Sequence, residues 1–140
     1  MKLSTKGRYG ARAMLELAFN YGKGQVLLRE ISERQDISAR YLERMMIALV
    51  CADLVRSSRG QSGGFTLAKP PKEISLDQII QGLEGSIAPV ACVDEPKLCD
   101  RVDICITHDI WKKLKKAMLN VLKSITLEDM VEMQRKKLSK

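Results

Sequence analysis

The 140-residue sequence has few aromatic side chains and no long apolar run. Aromatic residues make up 4% of the chain while hydrophobic residues make up 45%, so we expect an aliphatic core rich in methionine. No run approaches the roughly 20 apolar residues of a transmembrane helix, and the basic N-terminus lacks the apolar stretch of a secretory signal. The sequence therefore predicts a cytoplasmic protein of one domain, or one small domain with an appendage, and no membrane partner.

Several chemical signatures are also absent. The glycine-rich segment 58–64 does not follow the GxxxxGK[ST] pattern, which argues against nucleotide binding. The cysteines form no CxxC pair, although structural zinc sites usually contain one. Cys105 and His108 could pair as a nucleophile and a base, but no orienting partner or oxyanion feature accompanies them. We therefore expect no enzyme activity and no small-molecule substrate.

One short stretch, Pro89–His108, holds three of the four cysteines and the only histidine. Cys92, Cys99, Cys105 and His108 follow the spacing C-x6-C-x5-C-x2-H. Thiolates bind zinc and iron–sulfur clusters, and a histidine can replace one thiolate. Ligands spaced singly along a loop favour a cluster over a zinc ion, although the spacing leaves zinc open. A disulfide or incidental thiols remain the alternative, which the reducing cytoplasm disfavours.

The charge is distributed unevenly around a net value of +7. Residues 1–60 carry eleven Lys and Arg against six Asp and Glu, residues 61–110 four against eight, and residues 111–140 nine against three. The basic N-terminal part suits a polyanion, although basic charge can also serve solubility alone. The acidic middle coincides with the cysteine-containing stretch.

Residues 28–50 predict a helix-turn-helix. A short first helix, with Leu28, Ile31 and Gln35 on one face, ends at a tight break at Asp36 and Ile37, and Ser38 is a suitable N-cap for a second helix. An apolar stripe then leaves the polar start of the second helix exposed, where a recognition helix contacts bases. The stripe consists of Leu42, Met45, Met46 and Leu49. A plain helical hairpin with a charged outer face is the alternative. Near the end of the second helix, Cys51 is expected to be a buried thiol.

Two short strands, at 54–57 and 65–67, flank the polar glycine-rich loop and predict a wing directly after the second helix. Arg59 in this loop suits a phosphate or a narrow minor groove. Residues 1–72 are accordingly interpreted as a winged-helix DNA-binding domain. The predicted fold is mainly α with a small β-hairpin wing.

The remaining chain is predicted to contain a connecting helix within 73–88, the ligand loop at 89–108, and a long helix followed by a shorter one within 109–140. Thr107 is the expected cap of the long helix, and the basic end of the chain, RKKLSK, is expected to fray. The long helix has one apolar stripe: Trp111, Leu114, Met118, Val121, Leu122 and Ile125. We interpret this stripe as the dimerisation surface of a homodimer, with packing on its own N-terminal domain as the alternative.

These segments together resemble the IscR-like regulators, a family of dimeric winged-helix repressors and activators. The resemblance rests on MKLSTKGRYGARAMLELA, ISERQDISARYLERMMIAL, RGQSGGFTLA and the C…C…C…H loop before a long helix. It implies a 2Fe–2S cluster held by Cys92, Cys99, Cys105 and His108. It also implies contacts with a double-stranded, pseudo-palindromic DNA operator from eight residues: Ser38, Ala39, Arg40, Tyr41, Glu43, Arg44, Arg59 and Gly60.

The implied function is a DNA-binding transcriptional regulator that senses iron–sulfur cluster status and controls cluster-assembly genes. One alternative is an NsrR-like nitric-oxide-sensing repressor with a 4Fe–4S cluster, in which a carboxylate from the first helix of the other subunit completes the ligand set. Positions 8 and 12 here are Arg8 and Arg12, which disfavours that arrangement. The other alternative is a zinc-stabilised DNA-binding module without sensing.

Overall fold

The computed structural model describes residues 2–60 and 63–140 and has seven α-helices and one antiparallel hairpin within them. The predicted fold, mainly helical with a small β-hairpin wing, is confirmed. Short 3-10 turns occupy Pro71–Glu73 and Pro96–Leu98. The elements in chain order are α1 (Thr5–Phe19), α2 (Leu28–Gln35), α3 (Ala39–Cys51), β1 (Val55–Ser58), β2 (Gly64–Leu67), α4 (Leu76–Glu84), α5 (Ala91–Asp94), α6 (Ile106–Lys123) and α7 (Leu127–Leu138).

The turn between α2 and α3 is built as predicted. Asp36 adopts a left-handed conformation with φ 53°, which ends α2 and redirects the chain. The Ile37 side chain is buried, and its backbone N–H donates to the Ser32 carbonyl at 3.1 Å. Ser38 occupies the N-cap position of α3 but makes no capping hydrogen bond with its side chain. These contacts fix α2 and α3 as a helix-turn-helix.

The wing includes a pairing that the sequence did not predict. β1 pairs with β2 in the register Val55 to Leu67, and Val26 forms a bridge on the other side of β2. Val26 and Phe65 exchange backbone hydrogen bonds of 2.9 and 2.8 Å. A Cβ on Gly64 would lie 2.6 Å from the Val26 carbonyl oxygen, so only glycine permits this approach. The wing is therefore anchored to the segment between α1 and α2.

The core of the helix-turn-helix continues into α4 and the start of α7. Gly10 of α1 lies so close to α4 that a Cβ there would overlap the Leu83 side chain. Backbone bonding joins the two segments before α4 and α7, since Leu127 donates to the Ile74 carbonyl at 2.9 Å and Leu76 donates to the Ile125 carbonyl at 2.8 Å. Ile74 and Leu127 are fully buried. The C-terminal helix is thus part of the same apolar core as α1.

The long helix α6 is packed less completely. It contacts α4 and α5, and most of its predicted apolar stripe is only half-buried. Val121 is 59% exposed, Ile106 is 70% exposed and Ile110 is 48% exposed. In the described part of the chain, no helix combines the length and apolarity needed to cross a bilayer.

Four local predictions are wrong. Cys51 is exposed, because it lies at the end of α3 beyond the buried stripe. The helical spacing of apolar residues from Tyr9 to Tyr21 also predicts that Tyr21 faces the core, but Tyr21 is exposed because α1 ends at Phe19. Cys105, rather than Thr107, takes the N-cap position of α6. The basic end of the chain belongs to α7, which runs to Leu138 and packs against α1.

Candidate DNA-binding surface and metal-ligand loop

The start of α3 presents a polar surface to solvent. Its buried side faces the core through Leu42, Met45, Met46 and Leu49, so the opposite side is left free. Most of the predicted DNA-binding residues of this segment are exposed, and Tyr41 is half-buried: Ser38, Ala39, Arg40, Tyr41, Glu43 and Arg44. Four of them, Ser38, Arg40, Tyr41 and Arg44, line a shallow cleft of about 280 Å³. The structure therefore brings these predicted residues onto one surface.

Two arginines of α1 contact Tyr9, which in turn contacts Tyr41 on this surface. The ring of Tyr9 meets the ring of Tyr41 edge to face, with centroids 6.1 Å apart. The guanidinium groups of Arg8 and Arg12 lie 5.6 and 5.2 Å from the centre of the Tyr9 ring. Arg12 also donates to the side chain of Gln35 at 2.9 Å, which braces α1 against α2. Arg8 thus adds positive charge near the recognition helix, while the hydrogen bond of Arg12 to Gln35 connects α1 to α2.

The wing carries the other two predicted DNA-binding residues. Arg59 and Gly60 are exposed, and Gly60 has φ +100°, a conformation that favours glycine. The Gly63 backbone N–H donates to the Gly60 carbonyl at 3.0 Å. Gln61 and Ser62, the remaining polar residues predicted for this loop, lie outside the described residues.

The ligand loop brings two of its four predicted ligands together. His108 is 4% exposed on the first turn of α6, and its Nδ1 atom lies 3.3 Å from Sγ of Cys92 on α5. Cys105, at the N-cap of α6, is half-buried, and Cys99 is exposed in the irregular segment between α5 and α6. All four cysteines of the chain are free thiols. The loop therefore holds one preformed thiol–imidazole pair and two further thiols nearby in sequence.

The Cys105 thiol is polarised by its position before α6. Its Sγ atom lies 3.0 Å from the hydroxyl oxygen of Thr107. The Thr107 hydroxyl, together with the backbone N–H of His108, stabilises the thiolate and lowers the pKa of Cys105 below its usual value. A thiolate is the form that binds metals, so this environment suits a ligand.

The donor set fits a soft metal or an iron–sulfur cluster better than a hard cation. Three free thiols and an imidazole are ligands for zinc and iron, whereas Mg²⁺ and Ca²⁺ prefer oxygen donors. Within residues 2–60 and 63–140, no three or more His, Cys, Asp and Glu side chains are arranged as a metal site. Binding through all four residues therefore requires Cys99 and Cys105 to approach the Cys92–His108 pair.

An ionic contact that sequence reasoning missed fastens the loop to α6. Lys115 Nζ lies 2.7 Å from Oδ1 of Asp94, and the Ser86 hydroxyl donates to the other carboxylate oxygen. These two hydrogen bonds hold the pKa of Asp94 below its usual value, and the one from Lys115 has the larger effect. The acidic composition of the loop was visible in the sequence, but the lysine that it would meet was not.

Comparison with known proteins gives one consistent result. The model of the Rrf2 family, described as an iron-dependent transcriptional regulator, matches residues 3–133. The protein Rrf2 of Nitratidesulfovibrio vulgaris is 37% identical over 94% of this chain and 87% of its own length. Among solved structures, T. potens IscR is 42% identical with a TM-score of 0.79, covering 96% of this chain and 88% of that one. CymR, the global cysteine regulator of B. subtilis, is 37% identical with a TM-score of 0.78, covering 95% and 98%.

These matches extend over nearly the whole chain, and the matched proteins are regulators rather than enzymes. The helix-turn-helix and wing described above are the parts of such a fold that bind DNA. The chain belongs to the Rrf2 family of winged-helix transcriptional regulators.

Proposed function

We propose that this regulator senses iron–sulfur cluster status through a 2Fe–2S cluster held by Cys92, Cys99, Cys105 and His108, and that it controls cluster-assembly genes. The observation that carries the proposal is the Cys92–His108 contact of 3.3 Å, with His108 buried on α6. Burial of the single histidine against a cysteine of the loop supports His108 as the fourth ligand. CymR-like relatives resemble the chain equally in fold, so the ligand set, not the fold, favours the IscR-like function.

When bound, such a cluster supplies a group that is lost under oxidative damage or iron shortage. The chain's own residues determine what that loss does. A cluster held by all four residues would require Cys99 and Cys105 to join the Cys92–His108 pair, so the exposed segment between α5 and α6 would be held at two further points. With none engaged, the loop keeps the contacts that α5 makes with α6 and with Ser86. The free energy of binding the cluster sets how far the equilibrium shifts from the cluster-free to the cluster-bound state of the loop.

A continuous set of contacts links this loop to the recognition helix within one chain. Asp94 accepts from Ser86, two residues beyond Glu84 at the end of α4. The Glu84 carboxylate accepts from the Ser4 backbone N–H at 2.6 Å, at the start of α1. Tyr9 of α1 then contacts Tyr41 of α3. Spatial continuity supports coupling between the sites, and a measured change in DNA affinity is what establishes it.

The exposed apolar residues of α6 support a homodimer. The predicted dimerisation stripe is half-buried except at Val121, so the face that a second copy would cover lies beside it and shares only Val121 with it. This exposed face consists of Ile106, Ile110, Ala117 and Val121, which recur at intervals of four and seven residues, as in paired helices. A second copy of the chain would cover this stripe and place two recognition helices on a pseudo-palindromic operator. A Val121→Asp protein is expected to sediment as a monomer, and a variant that stays dimeric would contradict this interface.

The experiment for the ligand set is anaerobic purification followed by iron, sulfide and zinc analysis with a visible spectrum. We expect about two irons and two sulfides per chain in the wild type and in Cys51→Ala, which removes the one thiol outside the loop. Cys92→Ala, Cys99→Ala, Cys105→Ala and His108→Ala should each lose most of the absorbance. Four irons per chain would indicate the NsrR-like alternative, and zinc without sulfide would indicate a structural site; either result overturns the proposal.

A further inference from the structure

Helix α5 rests on α6 at two points. Cys92 meets His108 at 3.3 Å, and two residues further Asp94 meets Lys115 at 2.7 Å. His108 and Lys115 are seven residues apart, so they lie two turns apart on one side of α6. Helix α5 is a single turn of four residues, too short to be stable without such contacts.

The Asp94–Lys115 contact is a short ion pair between a partly exposed lysine and a partly exposed carboxylate. Its side chains are 32% and 27% exposed, and its distance is shorter than the 3.5 and 3.6 Å of the Arg34 ion pairs, which are the others in the described part of the chain. The Ser86 hydroxyl also donates to Asp94. The carboxylate of Asp94 on α5 therefore connects to α6 through Lys115 and to the segment that follows α4 through Ser86.

We propose that Lys115 is a positioning residue, whose ion pair with Asp94 keeps Cys92 beside His108 before any metal or cluster is bound. Two of the four candidate ligands are then preorganised, and only Cys99 and Cys105 must move to complete the set. Residues that orient ligands in this way raise the affinity of a site without touching the metal. The description of Cys92 and His108 as ligands rests on the proposed function, whereas the contact itself does not.

The single histidine provides a direct test on the cofactor-free protein. Tag-free protein has one imidazole, so one set of ring proton resonances in NMR reports on the Cys92–His108 contact at a fixed neutral pH. We expect Lys115→Gln and Asp94→Asn to move this resonance toward its position in Cys92→Ala. Lys115→Arg, which keeps the ion pair, should restore the wild-type position. Lys116→Gln, at the exposed neighbouring lysine, should leave it unchanged.

A second measurement uses the loaded protein. After addition of an iron chelator, the visible absorbance of Lys115→Gln should decay about two- to fivefold faster than that of the wild type or Lys116→Gln. An unmoved His108 resonance in Lys115→Gln overturns the positioning role, as does an equal decay rate in a wild type that carries a chromophore. A wild type without any chromophore would contradict the proposed function instead, while the resonance would still decide the role of Lys115.

Discussion

The recognition helix and the ligand loop lie in one chain but are held in place by different means. In α3, four apolar side chains are at most 1% exposed and belong to a core that runs through α1, α4 and α7. In the loop, Leu98 and Ile104 are 63% and 76% exposed, and α5 is attached through polar contacts of Cys92 and Asp94. A rigid part and a weakly held part suit a regulator, because the weakly held part can change state at little cost.

The largest effect should come from truncating the same residue type in the two regions. Leu42→Ala removes a fully buried side chain and should lower the free energy of unfolding by about 2–5 kcal/mol. Leu98→Ala removes a 63% exposed side chain and should change it by no more than about 0.5 kcal/mol. Chemical denaturation of both variants gives the comparison. Equal losses would show that the loop is part of the cooperative core.

The surface of the recognition helix should respond in binding but not in folding. Arg44→Ala removes an exposed cation from α3 and is expected to weaken operator binding by about 1–3 kcal/mol, with unchanged thermal stability. Lys112→Ala, at an exposed lysine of α6, serves as the control for net charge. Fluorescence anisotropy with labelled operator measures both. If both variants bound equally well, the contact would be no more than general electrostatic attraction.

The close approach of α1 and α4 gives a smaller effect on stability. An alanine Cβ at Gly10 would overlap Leu83, so Gly10→Ala should destabilise the fold by about 1–2 kcal/mol in spite of its better helix propensity. At Gly82, a Cβ would lie 3.1 Å from Cβ of Ala52, and Gly82→Ala should be close to neutral. Denaturation midpoints distinguish them. A neutral Gly10→Ala would indicate that the two helices separate easily.

The smallest effect concerns the polarised thiol of the loop. The Thr107 hydroxyl lowers the pKa of Cys105, so the reactive thiolate is present at a lower pH than in an ordinary cysteine. Thr107→Val removes the hydroxyl, and alkylation of Cys105 by iodoacetamide in the cofactor-free protein should then require a higher pH. Peptide mass spectrometry follows the reaction, with exposed Cys51 as the internal reference. An unshifted pH profile would contradict the role of the hydroxyl.

The parts of the fold that depend on local patterns could be predicted. The apolar period of α3, the break at Asp36 and the two strands of the wing are each encoded by a few neighbouring residues, and the structure confirms them. The pairing of Val26 with Phe65 and the bonds between Ile74 and Leu127 join distant segments and carry no local signal. The prediction that Cys51 is buried was wrong, because the last residue of a helix can lie beyond the apolar face that the helix buries.

The candidate site divides in the same way. Three cysteines and the only histidine fall within 20 residues, so the residue types and spacing predict a ligand set; this set stays a prediction, and the structure brings only Cys92 and His108 together. Which two ligands meet, and which lysine fastens α5, depends on how a short irregular segment lies on α6. The spacing of apolar residues, which predicts helices and strands, does not predict the conformation of such an irregular segment.

The most direct test of coupling between the two regions is the operator affinity of one anaerobic preparation, measured before and after its metal is removed. The operator is first selected from a random pool of double-stranded DNA at fixed salt concentration, because salt alone changes such affinities. We predict a change in affinity of at least about fivefold as the iron content falls, in the wild type but not in Cys92→Ala. Equal affinities of the loaded and metal-free wild type would contradict sensing and leave a DNA-binding protein whose loop has another role.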